Sequence, residues 1–229
     1  MTEYQQLSDV IWHVYDTLMS DNEKKTNRIS ISLMVEFFLL LKRTKVNDLT
    51  TFTKKLKERR DMLLEINNKL RKELLASLPI WCHEKLTDLN SAVIGIPNDT
   101  DSDLEFTIAI ESKDQQETIH NILKNIGYQF ENVRDDNIPH EEIKWMNYIK
   151  HYNGVEIEVK VRWKKIVDSI MIAHNNIKNN LSSYQKIKVS YIKSILAAGG
   201  DMKTYKTFKY IIYGAMFQGH QNTIIFRHN

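Results

Sequence analysis

The stretch from Asn90 to Ile110 decides the fold, and it reads NSAVIGIPNDTDSDLEFTIAI. We interpret it as a short apolar strand, a polar loop, and a second strand that begins with Asp103, Leu104 and Glu105. Residues i and i+2 of a strand project to the same face, so Asp103 and Glu105 lie side by side while Leu104 points into the core. Adjacent carboxylates repel each other, and a divalent cation that prefers hard oxygen ligands removes that cost. The pattern therefore predicts a Mg²⁺ or Mn²⁺ site on this strand.

Four residues of this stretch resemble the signature of the polymerase-β-like nucleotidyltransferase superfamily. That signature is Gly-Ser, a loop with a further Gly, and then Asp-x-Asp or Asp-x-Glu. The matching residues are Ser91, Gly95, Asp103 and Glu105. Asn90 stands where the family usually has Gly. The resemblance implies a two-metal-ion enzyme that transfers a nucleoside monophosphate from ATP or another NTP to a hydroxyl acceptor and releases pyrophosphate.

A hairpin signal further along the chain supplies the third acidic candidate. Asn153-Gly154 separates two alternating segments, and this dipeptide favours a type I′ turn. The charged residues of the outgoing strand share one face, and they are Glu156, Glu158, Lys160 and Arg162. The superfamily places its third metal carboxylate on a strand beside the Asp-x-Glu strand, and the resemblance implies Glu158, with Glu156 as the fallback. Without the Asp-x-Glu pair, this alternation is more typical of an exposed edge strand.

The C-terminal part supplies the remaining candidates. Lys193 and Tyr205 flank a Gly-Gly turn in a pattern similar to that of poly(A) and terminal uridylyl transferases, where a Lys meets the triphosphate and a Tyr stacks on the base. The resemblance implies that both bind the nucleotide, together with Ser91 and the backbone amides around Gly95. The stretch 184–209 also resembles the tail of GrpB-like proteins. An amphipathic helix with exposed lysines gives the same pattern, and core packing explains Tyr205 as well as base stacking does.

Composition is that of a globular protein with much helix. Of 229 residues, 42% are hydrophobic and 27% are charged, and only 7 are Gly and 3 are Pro. The single cysteine, Cys82, excludes an internal disulfide and a Cys-based zinc site and favours a reducing compartment, which we expect to be the cytoplasm. The longest apolar run, Val35–Leu41, is too short to span a bilayer, so we expect no membrane partner.

Hydrophobic periodicity predicts an α+β fold of the nucleotidyltransferase type, with a mixed sheet flanked by helices. Three regions are expected: an N-terminal helical region with a long spine-like helix (1–78), a catalytic sheet (79–163), and a C-terminal helical bundle (164–229). Helices are predicted over 4–20, 30–45, 47–77, 80–89, 115–125, 166–179, 183–198 and 202–217. Besides the two strands of 90–110, strands are predicted over 128–133, 145–152, 155–163 and 223–226.

The acceptor is predicted only as a class. The basic segment from Lys160 to Asn229 is compatible with an RNA 3′ end, including that of tRNA, or with a nucleotide alone. Three alternatives stay open. One is a catalytically inactive nucleotidyltransferase fold that acts as a binding or scaffold protein. Another is a ppGpp-synthetase-like pyrophosphokinase, because residues 155–162 resemble that family's Glu-x-Gln-x-Arg strand. The third is a toxin or antiphage enzyme that modifies a protein or tRNA hydroxyl.

Overall fold

A computed structural model describes residues 2–18, 21, 31–44, 49–100, 103–134 and 145–227. The sequence also predicts a polar loop over 21–27, a helix cap at Asn47 or Asp48, and a loop through Pro139. Residues 22–27, 47–48 and 135–139 lie outside the described ranges. The helices are α1 (Glu3–Leu18), α2 (Ile31–Arg43), α3 (Leu49–Ser77), α4 (Ile80–His83), α5 (Ser91–Ile94), α6 (Lys113–Asn125), α7 (Lys164–Asn180), α8 (Ser183–Ala198) and α9 (Met202–Arg227). The strands are β1 (Leu86–Asp88), β2 (Asp103–Ile110), β3 (Gln129–Arg134), β4 (Trp145–Tyr152) and β5 (Val155–Trp163). In the part of the chain that is described, no helix has the length and apolar character needed to cross a bilayer.

The contacts within the chain group it into two compact units. We call one the sheet unit, which comprises Arg60–Val93 and Asp101–Met171. We call the other the helical unit, which comprises Met1–Arg59, Ile94–Thr100 and Ile172–Asn229. These groups of contacts do not test the domain boundaries after residues 78 and 163, which stay a prediction.

A five-stranded mixed sheet forms the centre of the sheet unit. Its strand order is β1-β2-β5-β4-β3, with β2 and β5 parallel and the other neighbours antiparallel. The β4–β5 hairpin turns at Asn153 and Gly154, whose φ angles are 51° and 75°. Positive φ at both central residues is what a type I′ turn requires. The α+β class and the predicted hairpin are confirmed.

The two faces of this sheet differ in chemistry. The apolar face is fully buried, and it carries Leu104, Phe106, Ile108, Ile157, Val159 and Val161. It packs into one core with residues of α3 and α6, among them Leu63, Leu70, Leu74, Ile119 and Leu123. Because side chains alternate along a strand, the opposite face carries the acidic residues of β2 and β5. The burial of the apolar face therefore fixes the direction in which those carboxylates point.

The helical unit has a separate core. Buried residues from five helices meet there, including Ile11, Phe37, Ile177, Ile192 and Phe208. Ile94 and Ile96 join the same cluster and attach the loop after α5 to it. The N-terminal and C-terminal helices of the chain thus share one core.

The strand predicted just after Asn90 is wrong, and so is part of the helix predicted over 80–89. Ser91–Ile94 is a helical turn, and the first strand lies earlier, at Leu86–Asp88. The side-chain Oδ1 of Asn90 accepts a hydrogen bond from the backbone N–H of Val93 at 3.0 Å. Such a bond satisfies an N–H group that the first turn of a helix leaves without a partner. This local cap outweighs the strand preference of the apolar residues that follow, which depends on context.

The strand predicted over 223–226 is also wrong, because α9 continues to Arg227. The segment from Met202 to Arg227 contains no proline. Residues such as Thr and Ile cost a helix only about 0.7 kcal/mol or less each relative to Ala, so their presence did not end it.

Candidate functional site

Glu105 and Glu158 are direct neighbours on parallel strands. Glu105 of β2 pairs in register with Glu158 of β5, and Asp103 pairs with Glu156. Neighbouring strands are about 4.8 Å apart, and paired residues point to the same face. The structure therefore brings the predicted residues Asp103, Glu105 and Glu158 to one end of the polar face, with the fallback Glu156 beside Asp103.

Lys160 joins the two glutamates. Its Nζ lies 2.5 Å from Oε2 of Glu105 and 2.7 Å from Oε2 of Glu158. Arg162 adds a longer contact, 3.6 Å from its Nη1 to Oε1 of Glu105. The side chains of Glu105 and Glu158 are only 22% and 16% exposed, so these charges need partners close by. Two carboxylates thus converge on one cation.

Asn147 of β4 positions Glu158 from the other side. Its Nδ2 donates to Oε1 of Glu158 at 3.3 Å and to Oε2 of Glu131 at 2.6 Å. Asn147 is fully buried, which restricts its own rotation. The orientation of the Glu158 carboxylate is therefore set by both Lys160 and Asn147.

Two buried oxygens lie beside Lys160. In the sheet, Lys160 pairs with Thr107 on β2 and with Asn147 on β4. Both neighbours are 0% exposed. Within the described residues, neither Thr107 Oγ1 nor Asn147 Oδ1 has a hydrogen-bond partner. A buried polar atom without a partner costs about 1–3 kcal/mol, so each such atom needs an explanation.

The polar face carries the residues that were predicted to hold a divalent cation. Among the described residues, no three carboxylate, imidazole or thiol groups are close enough together to hold a metal ion. Glu105 and Glu158 nevertheless enclose the ammonium of Lys160, so the space between their oxygens accommodates a positive charge. Asp103 is exposed at the start of β2 on the same face. Carboxylate oxygens are the ligands that Mg²⁺ and Mn²⁺ prefer, and the residues that would hold such an ion are Asp103, Glu105 and Glu158.

Ser91 opens α5, directly after a buried polar network. Asn90 donates from Nδ2 to Oδ1 of Asn67 at 2.9 Å, and Asn67 donates from Nδ2 to Oδ2 of Asp88 at 3.4 Å. Arg71 completes the network with an ion pair of 2.5 Å to Oδ1 of Asp88. Asn67 and Asn90 are 1% and 4% exposed. The network fixes the backbone from which the Ser91 side chain projects.

The loop that carries Gly95 lies against two lysines of α8, Lys186 and Lys193. Gly95 has a φ of +88°, and a Cβ built on it would lie 3.3 Å from Cδ of Lys186. Lys193 is 2% exposed, and its Nζ donates to the carbonyl oxygen of Ile96 at 2.7 Å. The predicted triphosphate ligand Lys193 therefore contacts the loop that carries the predicted phosphate-binding glycine.

Tyr205 contacts the same loop. Its Oη accepts a hydrogen bond from Nδ2 of Asn98 at 3.5 Å, and Nζ of Lys209 lies 5.5 Å from the centre of its ring. One residue further on, the backbone N–H of Asp99 donates to Oγ of Ser194 at 3.1 Å. The loop after Gly95 is thus held by α8 and α9, and base stacking by Tyr205 stays a prediction.

The predicted site residues fall into two groups, one in each unit. The sheet unit contains Ser91, Asp103, Glu105 and Glu158, and the helical unit contains Gly95, Lys193 and Tyr205. Sequence reasoning assigned no function to Lys160, Thr107 or Asn147. The alternation of β5 placed Lys160 on the acidic face, but no local pattern reveals its pairing with β2.

Comparison with known proteins gives no relatives. No protein-family model, curated protein or solved structure matches this chain. A functional assignment therefore depends on the chemistry of the polar face and of the loop after Gly95.

Proposed function

We propose that this protein is a metal-dependent nucleotidyltransferase that transfers a nucleoside monophosphate from an NTP to a hydroxyl and releases pyrophosphate. The observation that carries the proposal is the pairing of Glu105 with Glu158 around one cation, with Asp103 on the same face. RNA 3′ ends and nucleotides are the proposed acceptors, since the C-terminal half is rich in lysine. The proposal includes the nucleotidyltransferase type of the fold.

The chain's own residues have distinct roles in this reaction. Bound divalent ions supply charge stabilisation for the attacking and leaving oxygens of an in-line displacement. Asp103, Glu105 and Glu158 would hold those ions, and Asn147 restrains the Glu158 carboxylate through its hydrogen bond. The three residues lie on paired strands, whose rigid backbone limits the movement of the carboxylates and supports this role.

The phosphates are assigned to Ser91 and to the backbone around Gly95. A hydroxyl and successive backbone N–H groups are donors suited to phosphate oxygens. Lys193 supports this role indirectly as well as through its charge, because it fixes the carbonyl of Ile96 next to Gly95. Tyr205, partly exposed beside the same loop, is the proposed stacking partner of the base.

A second candidate function is favoured by the ion pairs of Lys160. The ammonium already compensates Glu105 and Glu158, so the cluster is electrostatically complete without a metal. A protein with this arrangement can serve as a binding or scaffold protein that has lost catalysis. The two functions differ in whether metal and NTP bind together.

The test is incubation with each α-labelled NTP and Mg²⁺ or Mn²⁺, with and without total RNA. A transferase yields labelled macromolecule or a labelled nucleotide product, together with pyrophosphate. Asp103→Asn should lower the rate by about a hundredfold or more, since even residues outside the ligand set commonly cost 10- to 100-fold. Asp168→Asn, which removes an exposed carboxylate of α7, is the matched control and should retain the rate.

Three results would contradict the proposal. Retained transfer in Asp103→Asn, with native circular dichroism in both variants, would remove the assigned site. Transfer of pyrophosphate to GDP or GTP, with release of AMP, would assign the protein to the pyrophosphokinases. Absence of both products, with no metal-dependent NTP binding by calorimetry, would favour the scaffold function.

A further inference from the structure

A row of polar residues crosses the polar face at the level of Lys160. Thr87 of β1 pairs with Thr107 of β2, Thr107 pairs with Lys160 of β5, and Lys160 pairs with Asn147 of β4. Glu105 and Glu158 lie on the same face, each two residues before the member of this row on its own strand. The ammonium of Lys160 is directed to those glutamates rather than along the row.

The row contains two hydrogen-bond acceptors that Lys160 does not contact in this arrangement. Thr107 Oγ1 and Asn147 Oδ1 are buried, lie on the strands on either side of Lys160, and have no partner among the described residues. Both oxygens can accept a hydrogen bond from an ammonium. Neighbouring strands are about 4.8 Å apart, which is within reach of a lysine side chain that changes rotamer.

We propose that the ammonium of Lys160 takes the place of the divalent ion in the metal-free protein. Without metal, Lys160 pairs with Glu105 and Glu158, and when a divalent ion binds there its ammonium moves to Thr107 Oγ1 and Asn147 Oδ1. This inference rests on the proposed function in placing the ion at the two glutamates.

Charge explains why the lysine must move. Two carboxylates without a cation repel each other, and Lys160 removes that repulsion in the metal-free protein. A divalent ion that enters competes for the same Oε2 atoms, and it repels the ammonium. The two buried acceptors then receive the displaced charge, so that it stays hydrogen-bonded in a site with little water.

The consequence is competition between Lys160 and metal. Lys160→Met should tighten Mn²⁺ binding by about tenfold to a hundredfold, the factor expected when a charge-assisted hydrogen bond no longer has to be broken. Lys150→Met is the matched control. Lys150 pairs with Ile157, so it lies on the opposite face of the adjacent strand, and its Nζ donates to the carbonyl of Ile126 at 3.2 Å. It removes the same charge but should leave Mn²⁺ affinity within about twofold.

The acceptors are tested by Thr107→Val, which keeps the shape and removes the hydroxyl. In the chain with Lys160, it should weaken Mn²⁺ binding by about threefold to tenfold, because the displaced ammonium loses a partner. In the Lys160→Met background it should have no effect. This dependence of one substitution on the other isolates the contact between the two side chains.

The measurement is equilibrium Mn²⁺ binding to the full chain without nucleotide, followed by the electron paramagnetic resonance signal of free Mn²⁺. Equal affinities of the two lysine variants would overturn the inference, and so would an effect of Thr107→Val that is independent of Lys160. If circular dichroism shows that Lys160→Met does not fold, the Mn²⁺ affinities of Lys160→Arg and Thr107→Val test the inference instead. Near-native affinity in the first and weakened affinity in the second support the inference, and unchanged affinity in Thr107→Val overturns it.

Transfer assays on the same samples separate this inference from the proposed function. Tighter Mn²⁺ binding in Lys160→Met, without transfer by the wild-type protein, supports the lysine's role and contradicts the enzymatic function. Transfer by the wild-type protein, with equal Mn²⁺ affinity in the two lysine variants, supports the enzymatic function and contradicts the lysine's role. Absence of Mn²⁺ binding in every variant overturns both.

Discussion

The side-chain amide of Asn90 donates a hydrogen bond of 2.9 Å to Oδ1 of Asn67, and both residues are buried. Asn90 stands before Ser91, where the superfamily that this sequence resembles usually has Gly. Gly is favoured where φ is positive, and among the described non-glycine residues only Asn153 has a positive φ, so the φ of Asn90 is not positive. The backbone at Asn90 therefore needs no Gly, and the side chain has a structural task that a Gly could not perform.

Asn90→Ala should lower the free energy of unfolding by about 2–3 kcal/mol. The substitution removes the cap on Val93 N–H and leaves the buried Oδ1 of Asn67 without its donor. Asn121→Ala, at an exposed position of α6, is the control, and it should be neutral or stabilising by up to about 0.7 kcal/mol because Ala has the higher helix propensity. Urea denaturation monitored by circular dichroism measures both. Equal stability of the two variants would contradict the role of the network.

Gly95→Ala should cost about 1–2 kcal/mol of stability, because a Cβ disfavours the left-handed backbone that a φ of +88° requires. Gly127→Ala is the control. It has a φ of +87°, and no atom of the described residues lies within 4 Å of the added Cβ, so it reports the backbone cost alone. At Gly95 the nearest atom is Cδ of Lys186 at 3.3 Å, and that flexible side chain can move aside.

The two glycine variants should therefore lose similar stability but differ in function. Calorimetric titration with NTP and Mn²⁺ should show weaker binding for Gly95→Ala only, since the amides assigned to the phosphates surround Gly95. If both variants bind nucleotide like the wild type, Gly95 has no part in phosphate binding.

Local signals in the sequence predicted the elements whose structure is locally determined. Asn153-Gly154 predicted the β4–β5 hairpin, because its backbone preference is a property of two residues. The cap preference of Ser112 and Asp114 favours a helix start near residue 115; α6 begins at Lys113, and Oγ of Ser112 accepts a hydrogen bond from the N–H of Gln115 at 3.3 Å. Alternation in β2 and β5 predicted which residues share a face, since that depends only on the strand period of two.

Features that depend on distant partners could not be predicted in the same way. The helical turn at Ser91 depends on Asn90, which is itself held by Asn67, 23 residues earlier. The ion pairs of Lys160 depend on the parallel pairing of β2 with β5. In the sequence, 44 residues separate the end of β2 at Ile110 from the start of β5 at Val155. No periodic pattern encodes the choice of neighbouring strand, so the acidic side chains were predicted while their cation was missed.

Thr107→Val should raise the stability of the metal-free protein by about 1 kcal/mol, measured by urea denaturation in the presence of EDTA. The reason is that Thr107 Oγ1 is buried and has no hydrogen-bond partner in the described part of the chain, whereas a methyl group of the same shape needs none. Thr118→Val is the control on an exposed helix surface, where the hydroxyl donates to the carbonyl of Asp114 at 2.8 Å. It should be neutral or slightly destabilising, since Val and Thr have similar helix propensities and only an exposed hydrogen bond is lost. A loss of stability in Thr107→Val as large as that expected for Asn90→Ala would mean that its hydroxyl is satisfied in solution.

Asp201 should make the stability of the helical unit depend on pH. Its Oδ1 accepts hydrogen bonds from the backbone N–H groups of Lys203 and Thr204 at 3.0 and 3.2 Å, and its Oδ2 accepts from the hydroxyls of Thr204 and Tyr4. The hydroxyl of Thr204, followed by its backbone N–H and by the hydroxyl of Tyr4, holds the pKa of Asp201 below its ordinary value of 3.8. These bonds favour the charged form, so the stabilisation is complete above pH 3.8 and is lost as the pH falls through the lowered folded-state pKa.

Asp201→Asn keeps a side chain that can cap α9 but cannot ionise. The variant should therefore be less stable than the wild type at pH 6, and the difference should shrink as the pH is lowered below 3.8. Asp9→Asn, which removes an exposed carboxylate of α1, gives the baseline for loss of a surface charge. Thermal denaturation of the three proteins between pH 6 and about pH 3 measures the effect, since the carboxylate of the unfolded chain titrates within that interval. A difference between wild type and Asp201→Asn that stays constant over the interval would show that the charge on Asp201 does not contribute to the cap.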